Sequence, residues 1–327
     1  MPASRARRAW LLQMHDSGSG GVASKLIVSG CALTNWGHMG PRSNRVVLVT
    51  GASRGIGRGV AVALAAAGTT VYFTGRTTRT GTAPLPGTIH ETAAEIERRG
   101  GRAVAVVCDH RDDAQVEELF ERIGRESGRL DLLVNNVTLI PDELVLPGGF
   151  WEKPLAMQAL LDVGFRSHYV ASWHAARIMV PQGAGLIVMV SSPGARCYMH
   201  GPAYGAGKAG IDKMAADMAV DLRKHAVAAL SLWAGMTLTE RSQVAMQGLP
   251  GEYDKFAAHA ASPEFIGLLL DVLMRDPQLM ARSGKTWIAA ELAVELGVKD
   301  LGGKQPGSDR AMLGEPAQVS AAIVGAP

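Results

Sequence analysis

Val46-Val47-Leu48-Val49-Thr50 runs straight into Gly51-Ala52-Ser53-Arg54-Gly55-Ile56-Gly57, and this stretch decides the fold. The first residues are apolar and mostly β-branched with no polar alternation, the pattern of a strand covered on both faces. The glycines let the chain turn sharply. Ile56–Ala67 then reads as an alanine-rich helix closed by Gly68. Strand, glycine-rich turn and helix make the opening unit of an α/β layer structure.

The same alternation continues outward. Strands are expected at Thr70–Thr74, Ala103–Cys108, Leu130–Val134, Leu186–Ser191 and Val227–Trp233. Between them, helices are expected at His90–Arg99, Ala114–Ser127, Asp162–Ile178 and Tyr204–His225. Strands separated by helices pair in parallel, so the fold class is a single doubly wound parallel sheet, a Rossmann fold, with helices on both faces. Right-handed crossovers then place every strand's carboxyl end on one rim, where ligands bind. Beyond Leu249 the pattern thins to a helix at Pro263–Arg275 and a last strand at Lys285–Ala290.

This divides the chain into a catalytic core at 45–300, a loose tail at 301–327, and residues 1–44 as a flexible extension or a mis-assigned start with Met39 as the true one. Arg7-Arg8 and Val28-Ser29-Gly30-Cys31 imitate a twin-arginine signal and a lipoprotein box, but His15, Asp16 and Lys25 break the apolar segment both require. Hydrophobic residues at 47% suffice for a large core. Lys+Arg 33 against Asp+Glu 30 is too even for a nucleic-acid partner. No apolar run reaches the roughly 20 residues of a membrane span. Three scattered cysteines, Cys31, Cys108 and Cys197, form no disulfide framework and fit a reducing, cytoplasmic compartment.

The turn after the first strand suits a phosphate. Gly51, Gly55 and Gly57 allow close backbone approach, and Ser53, Arg54 and Ile56 complete a loop that opens onto a helix amino terminus. Free N–H groups and a partial positive charge meet an anion there. The spacing is Gly-x-x-x-Gly-x-Gly. Arg54 lies in the turn, and Arg76 follows the second strand, where an acidic residue would instead bond a ribose 2′-hydroxyl. Guanidinium forks favour phosphate oxygens, so the cofactor expected is NADP(H) over NAD(H). Asp109, ending the third strand, is placed to accept from the adenine amino group.

Tyr204-Gly205-Ala206-Gly207-Lys208 is the sharpest chemical feature. On a helix, positions i and i+4 share a face, so the ammonium lies near the phenol. A free tyrosine has a pKa near 10, and a neighbouring cation lowers it. A phenol tuned in this way donates a proton to a carbonyl or takes one from an alcohol. Ser191 ends the preceding strand on the same rim, thirteen positions before Tyr204, and its hydroxyl can polarise the reacting oxygen. Ser192 is its immediate neighbour, and strand ends are read only to within a residue or two.

In this order Thr50–Gly57, Asp109, Asn135-Asn136, Ser191 and Tyr204–Lys208 resemble the short-chain dehydrogenase/reductase family over about residues 45 to 240. The resemblance implies hydride transfer between a nicotinamide and a small-molecule carbonyl or secondary alcohol, and a homodimer or homotetramer. It implies that Tyr204 is the general acid/base, that Lys208 lowers its pKa and holds the ribose hydroxyls, and that Ser191 orients substrate. Asn136 would border the adenosine pocket, and Gly235, Thr237 and Thr239 would line the carboxamide. Three positions depart from the family pattern: Thr138 replaces a glycine, Ala234 a proline, and Asp162 stands at the helix asparagine that serves a proton relay. These departures sustain an alternative, a non-catalytic NADP-sensing protein on the same fold. Phe150-Trp151 and Met236–Tyr253 are the candidates for a substrate-covering loop.

Other motifs are set aside. Ser283-Gly284-Lys285-Thr286 lacks the glycine of a nucleotide-triphosphate loop, since Leu279 stands there. His168 and His174 are not spaced i, i+4, so no metal is expected. No Gly-x-Ser-x-Gly elbow supports a serine hydrolase.

Overall fold

A computed structural model of the chain describes residues 44–248, 251 and 257–325. Residues 1–43, with Cys31 and the two signal-like motifs, lie outside the described residues, as does Tyr253.

β1 (Arg45–Val49) lies at the centre of the sheet, paired in parallel with β2 (Thr69–Gly75) on one side and β4 (Leu132–Asn135) on the other. Val47 faces Val71 in one register and Leu132 in the other. With β3 (Arg102–Val107), β5 (Gly185–Ser191), β6 (Val227–Trp233) and β7 (Thr286–Ile288), the order is β3-β2-β1-β4-β5-β6-β7, and every pair is parallel. The order reverses between β1 and β4, which opens a ligand crevice at their carboxyl ends.

β1 shows why the apolar run does not alternate. Val47 and Val49 pack beneath α1 (Gly55–Ala63), α2 (Ile89–Arg98) and, further along the chain, Phe265–Leu273. Val46 and Leu48 pack on the opposite face against α3 (Asp113–Ser127) and α4 (Ser167–Gln182), together with α5 (Pro202–Leu222). Both faces are covered, so each position needs an apolar side chain, and each contributes roughly 1.5–3 kcal/mol when buried. Local signals fix the helix ends. Thr88 and Glu91 form a reciprocal capping box at α2, while Asp112 caps α3 and Gly128 ends it in the left-handed region.

The main departures from the expected boundaries fall in three elements. The first helix ends at Ala63, because Ala65 bonds back to Val62 and tightens the chain into a turn before Gly68. The helix expected from Asp162 becomes regular only at Ser167: residues 162–166 form a wide turn broken at Val163 and at Gly164, whose φ is +123°. It then runs past Ile178 and through Pro181 to Gln182. The last strand is only Thr286–Ile288, in register with Ser231–Trp233 at the end of β6, and Ala289 starts a helix.

After β6 come α6 (Glu240–Gly248), α7 (Phe265–Leu273) and α8 (Ala289–Glu295). Beyond Asp300, which is buried against Ser262, residues 301–313 carry only short turns and are held at Lys304, bonded to the Ala260 oxygen, and at Arg310, which grips Glu291 of α8 with bonds of 2.8 and 2.6 Å. Among the described residues no helix is long and apolar enough to cross a membrane, and Cys108 and Cys197 are free thiols.

Candidate active site

The turn between β1 and α1 is built from backbone. Gly51 and Gly55 have φ of +71° and +60°, the left-handed region that side chains disfavour. A Cβ at Gly57 would lie 2.3 Å from the Gly51 oxygen and 2.4 Å from Asn136 Nδ2, so only glycine fits. Asn136 pins the turn from β4, its amide donating to the Thr50 and Gly51 oxygens at 2.9 and 3.0 Å. The backbone N–H groups of Asn136 and Val137 both donate to Thr50 Oγ1. Ser53 is buried, and Ile56 leans on the apolar face of the sheet. Gly55 N donates to Glu240 Oε2 at 2.9 Å, so this helix amino terminus already receives an anionic oxygen. Thr239 lies against Gly55.

The ends of β2 and β3 gather charge. Arg54 is drawn away from the turn: its guanidinium donates to the Pro86 and Gly87 oxygens at 2.9 and 2.8 Å and to Thr77 Oγ1 at 3.1 Å. Burial lowers its pKa, and the nearby Arg76 acts in the same direction. Arg76 is more than half exposed and lies 3.5 Å from Asp109. Asp109 is held mainly by Arg111, whose bonds bring its carboxyl down to about 2.

The reacting corner is built from side chains. Tyr204 and Lys208 lie on the first turns of α5, facing the ends of β5 and β6. The Tyr204 hydroxyl is 3.0 Å from Ser192 Oγ. Lys208 Nζ lies 5.6 Å from the centre of the Tyr204 ring and donates to the Val190 oxygen at 2.9 Å. Gly194 gives the ring room, since a Cβ there would stand 2.7 Å from Tyr204 Cε1. Burial pushes the Tyr204 phenol up and the Lys208 ammonium down, the latter to about 8. At neutral pH the phenol therefore keeps its proton and the lysine keeps its charge.

The structure separates the two adjacent serines. Ser191 is the last residue of β5 and points away from the phenol, its hydroxyl 3.5 Å from the Lys208 backbone oxygen and within reach of Asp212. Ser192, one residue beyond the strand, turns to the opposite side and meets Tyr204. Successive residues of an extended chain alternate in direction, so a one-residue shift exchanges the two roles.

The departures are absorbed locally. Thr138 sits opposite Gly164, where a Cβ would come within 2.9 Å of Thr138 Oγ1, so the glycine missing at 138 is recovered across the gap. Ala234 donates its amide to the Ser191 oxygen at 3.3 Å, a bond proline cannot make. The carboxylate whose charge reaches Lys208 is Asp212. Asp212 accepts from Ser231 Oγ at 2.5 Å and Trp233 Nε1 at 2.9 Å. Its signal was present in the sequence, since Tyr204, Lys208 and Asp212 repeat at helical spacing. His168 is fully buried behind Lys208, with Nε2 2.9 Å from the Val137 oxygen.

On the far side of the rim, Gly235 adopts φ +71°, Thr237 is buried with its hydroxyl 3.4 Å from the Gly235 oxygen, and Thr239 N donates to Ser242 Oγ at 2.8 Å. A shallow, partly open pocket lies beside them, lined by Trp233, Met236, Ala261 and Ile288 and also by His259, Asp309 and Arg310. Phe150 and Trp151 are exposed.

Residues 45–249 match the family profile described as short chain dehydrogenase. The chain belongs to the short-chain dehydrogenase family. It is 42% identical over 285 residues to dehydrogenase/reductase SDR family member 1 of Mus musculus, covering 84% of this chain and 88% of that one. With the Homo sapiens protein of the same name it shares 40% over 275 residues, 81% and 85% of the two chains. Solved short-chain dehydrogenases share the fold. One from Mycobacterium thermoresistibile superposes with a TM-score of 0.68 at 27% identity, over 82% of this chain and 95% of that one. A putative NAD(P) dependent gluconate 5-dehydrogenase from Beutenbergia cavernae, with bound NADP, gives 0.65 at 26% identity over 76% and 97%. This family member is accordingly an oxidoreductase acting on CH–OH and C=O groups.

The chain fits the family's nicotinamide dinucleotide, because the turn is cleared of side chains at Gly57 and offers an amide that already binds a carboxylate.

Proposed function

We propose that this protein is an NADP(H)-dependent carbonyl reductase, also able to run as an alcohol dehydrogenase, acting on a small to medium apolar ketone, aldehyde or secondary alcohol. The observation that carries this is the corner at α5, where a protonated phenol stands 3.0 Å from Ser192 Oγ and shares a helix face with a buried ammonium. The cofactor supplies and accepts hydride. Ser192 and Tyr204 together hold the carbonyl oxygen by hydrogen bonds, and Tyr204 delivers the proton. Lys208 stabilises the phenolate left behind and holds the ribose hydroxyls. The groups of the turn around Gly55 and Ile56 hold the pyrophosphate, and Asn136 keeps that turn in shape.

NADP(H) is favoured because Arg54 and Arg76 bring two positive charges to the end of β2, an arrangement that a 2′-phosphate relieves. Asp109 remains the adenine acceptor in this reading, and Gly235, Thr237 and Thr239 line the carboxamide. The apolar side chains at this rim, Trp233, Met236 and Ile288 among them, support an apolar substrate.

The test is a panel of ketones and aldehydes incubated with NADPH, read by loss of cofactor absorbance, with Tyr204→Phe as control. Tight cofactor binding with no carbonyl consumed would favour the NADP-sensing alternative.

A further inference from the structure

Lys208 is a cation placed out of water, 8% exposed, and its hydrogen bond to the Val190 oxygen brings no opposing charge. A charge so placed is either balanced or lost to deprotonation. Helix α5 supplies the balance. Tyr204, Lys208 and Asp212 occupy positions i, i+4 and i+8, one stripe of the helix, and that stripe faces β5 and β6. Across from Asp212, β6 presents Ser231 and Trp233 at alternate positions of one strand face, both buried, and each donates to one carboxylate oxygen. Burial pushes the Asp212 carboxyl above its ordinary value, and the donors Ser231 and Trp233, with the nearby Lys208 charge, oppose that rise and favour the ionised form.

We propose that Asp212 is a positioning residue of this site: clamped by Ser231 and Trp233 from β6, its carboxylate is the counter-charge that keeps the Lys208 ammonium protonated beneath the Tyr204 phenol. This role presupposes the proton-transfer chemistry proposed above. Asp212 commits its oxygens to Ser231 and Trp233 rather than to the ammonium. Lys208 is thereby charged without being captured, and its remaining N–H groups stay free for ribose hydroxyls. The other titratable groups facing Lys208 do not supply the balance. Tyr204 is neutral at working pH, and His168 of α4, which feels the Lys208 charge, is held unprotonated by burial, its pKa pushed down to about 3. Ser191 completes the arrangement, tying the end of β5 to the Asp212 carboxylate.

The role is tested on the full chain labelled with 13C-lysine, the Lys208 resonance being assigned by its loss in Lys208→Met. In the native protein this resonance titrates near pH 8. In Asp212→Asn it titrates lower by about one unit, and Asp212→Glu, which keeps the charge, restores the native value. The alkaline limb of NADPH-dependent reduction moves with it, so the ratio of rates at pH 6 and pH 8 rises about five-fold. Asp212→Ala replaces the asparagine variant if that one fails to fold. A lysine resonance that titrates unchanged in both variants, or a loss of rate equal at every pH, overturns the proposal and leaves Asp212 a packing group. The two readings fail separately. If native protein reduces nothing while its lysine still responds to Asp212→Asn, the enzyme reading falls and the charge coupling stands. If turnover is brisk while the lysine does not respond, only the coupling falls.

Discussion

The phosphate turn at the head of α1 and the reacting corner at the head of α5 solve opposite problems. The turn is made of backbone: positive φ at Gly51 and Gly55, no room for a Cβ at Gly57, and a brace of amide bonds from Asn136. The corner is made of side chains whose charge states depend on one another: a phenol, an ammonium, a serine hydroxyl and a carboxylate one turn further on. The turn should therefore be intolerant of added atoms and indifferent to charge, while the corner should tolerate small changes of shape and be ruled by protonation.

The contrast is tested most severely by Tyr204→Phe. Removing the proton donor lowers turnover about a thousand-fold, with cofactor affinity, measured by NADPH fluorescence, nearly intact. A comparable loss of affinity would mean that the corner also carries the grip on the cofactor. Ser192→Ala comes next, with kcat down about a hundred-fold, against a few-fold at most for Ser191→Ala. Equal effects from the two serines would contradict the strand-end geometry. Arg76→Asp should swing preference from NADPH toward NADH by about ten- to a hundred-fold, the worth of a hydrogen bond to a charged group. A constant preference would detach this residue from cofactor choice. Gly57→Val belongs to the turn alone. It costs roughly 1–3 kcal/mol in thermal stability through overpacking and weakens cofactor binding, while the pH profile of whatever activity remains keeps its shape.

The smallest expected effect concerns what the two regions share, a buried neutral imidazole behind each. His110 stands 2.8 Å from Thr74 Oγ1, which in turn accepts from Gly51 N, and His168 stands behind Lys208. Burial holds them at about 4 and about 3. An unfolded histidine protonates near 6.5. Between that value and the folded ones the unfolded chain binds more protons, so stability falls as pH drops below about 6.5. Denaturant midpoints at pH 7 and pH 5 should show this, and His110→Gln should flatten part of the slope.

Legibility in the sequence followed the same division. Val227–Trp233 was readable to the residue because every side chain in it is buried and apolar or tied to a buried partner. The turn was readable because backbone demands leave glycines at fixed spacing. The tyrosine–lysine pair was readable because helical periodicity is local. The choice between the two serines is not legible, since which of two adjacent hydroxyls faces Tyr204 depends on where β5 stops pairing with β6, a contact far along the chain. The irregular entry to α4 is not legible for a similar reason: Gly164 turns at φ +123°, and the space a Cβ would need there is filled by Thr138 from a separate segment.

The amino-acid order alone determined the sheet, its winding and the i, i+4 pairing of phenol and ammonium, because burial on two faces and helical period act between neighbours in the chain. Only the tertiary structure decided which serine meets the phenol, that Thr138 is accommodated by Gly164, and that Ser231 and Trp233 hold the Asp212 carboxylate. Those outcomes depend on distances between segments separated by up to tens of residues, and such distances exist only once the strands have chosen their partners.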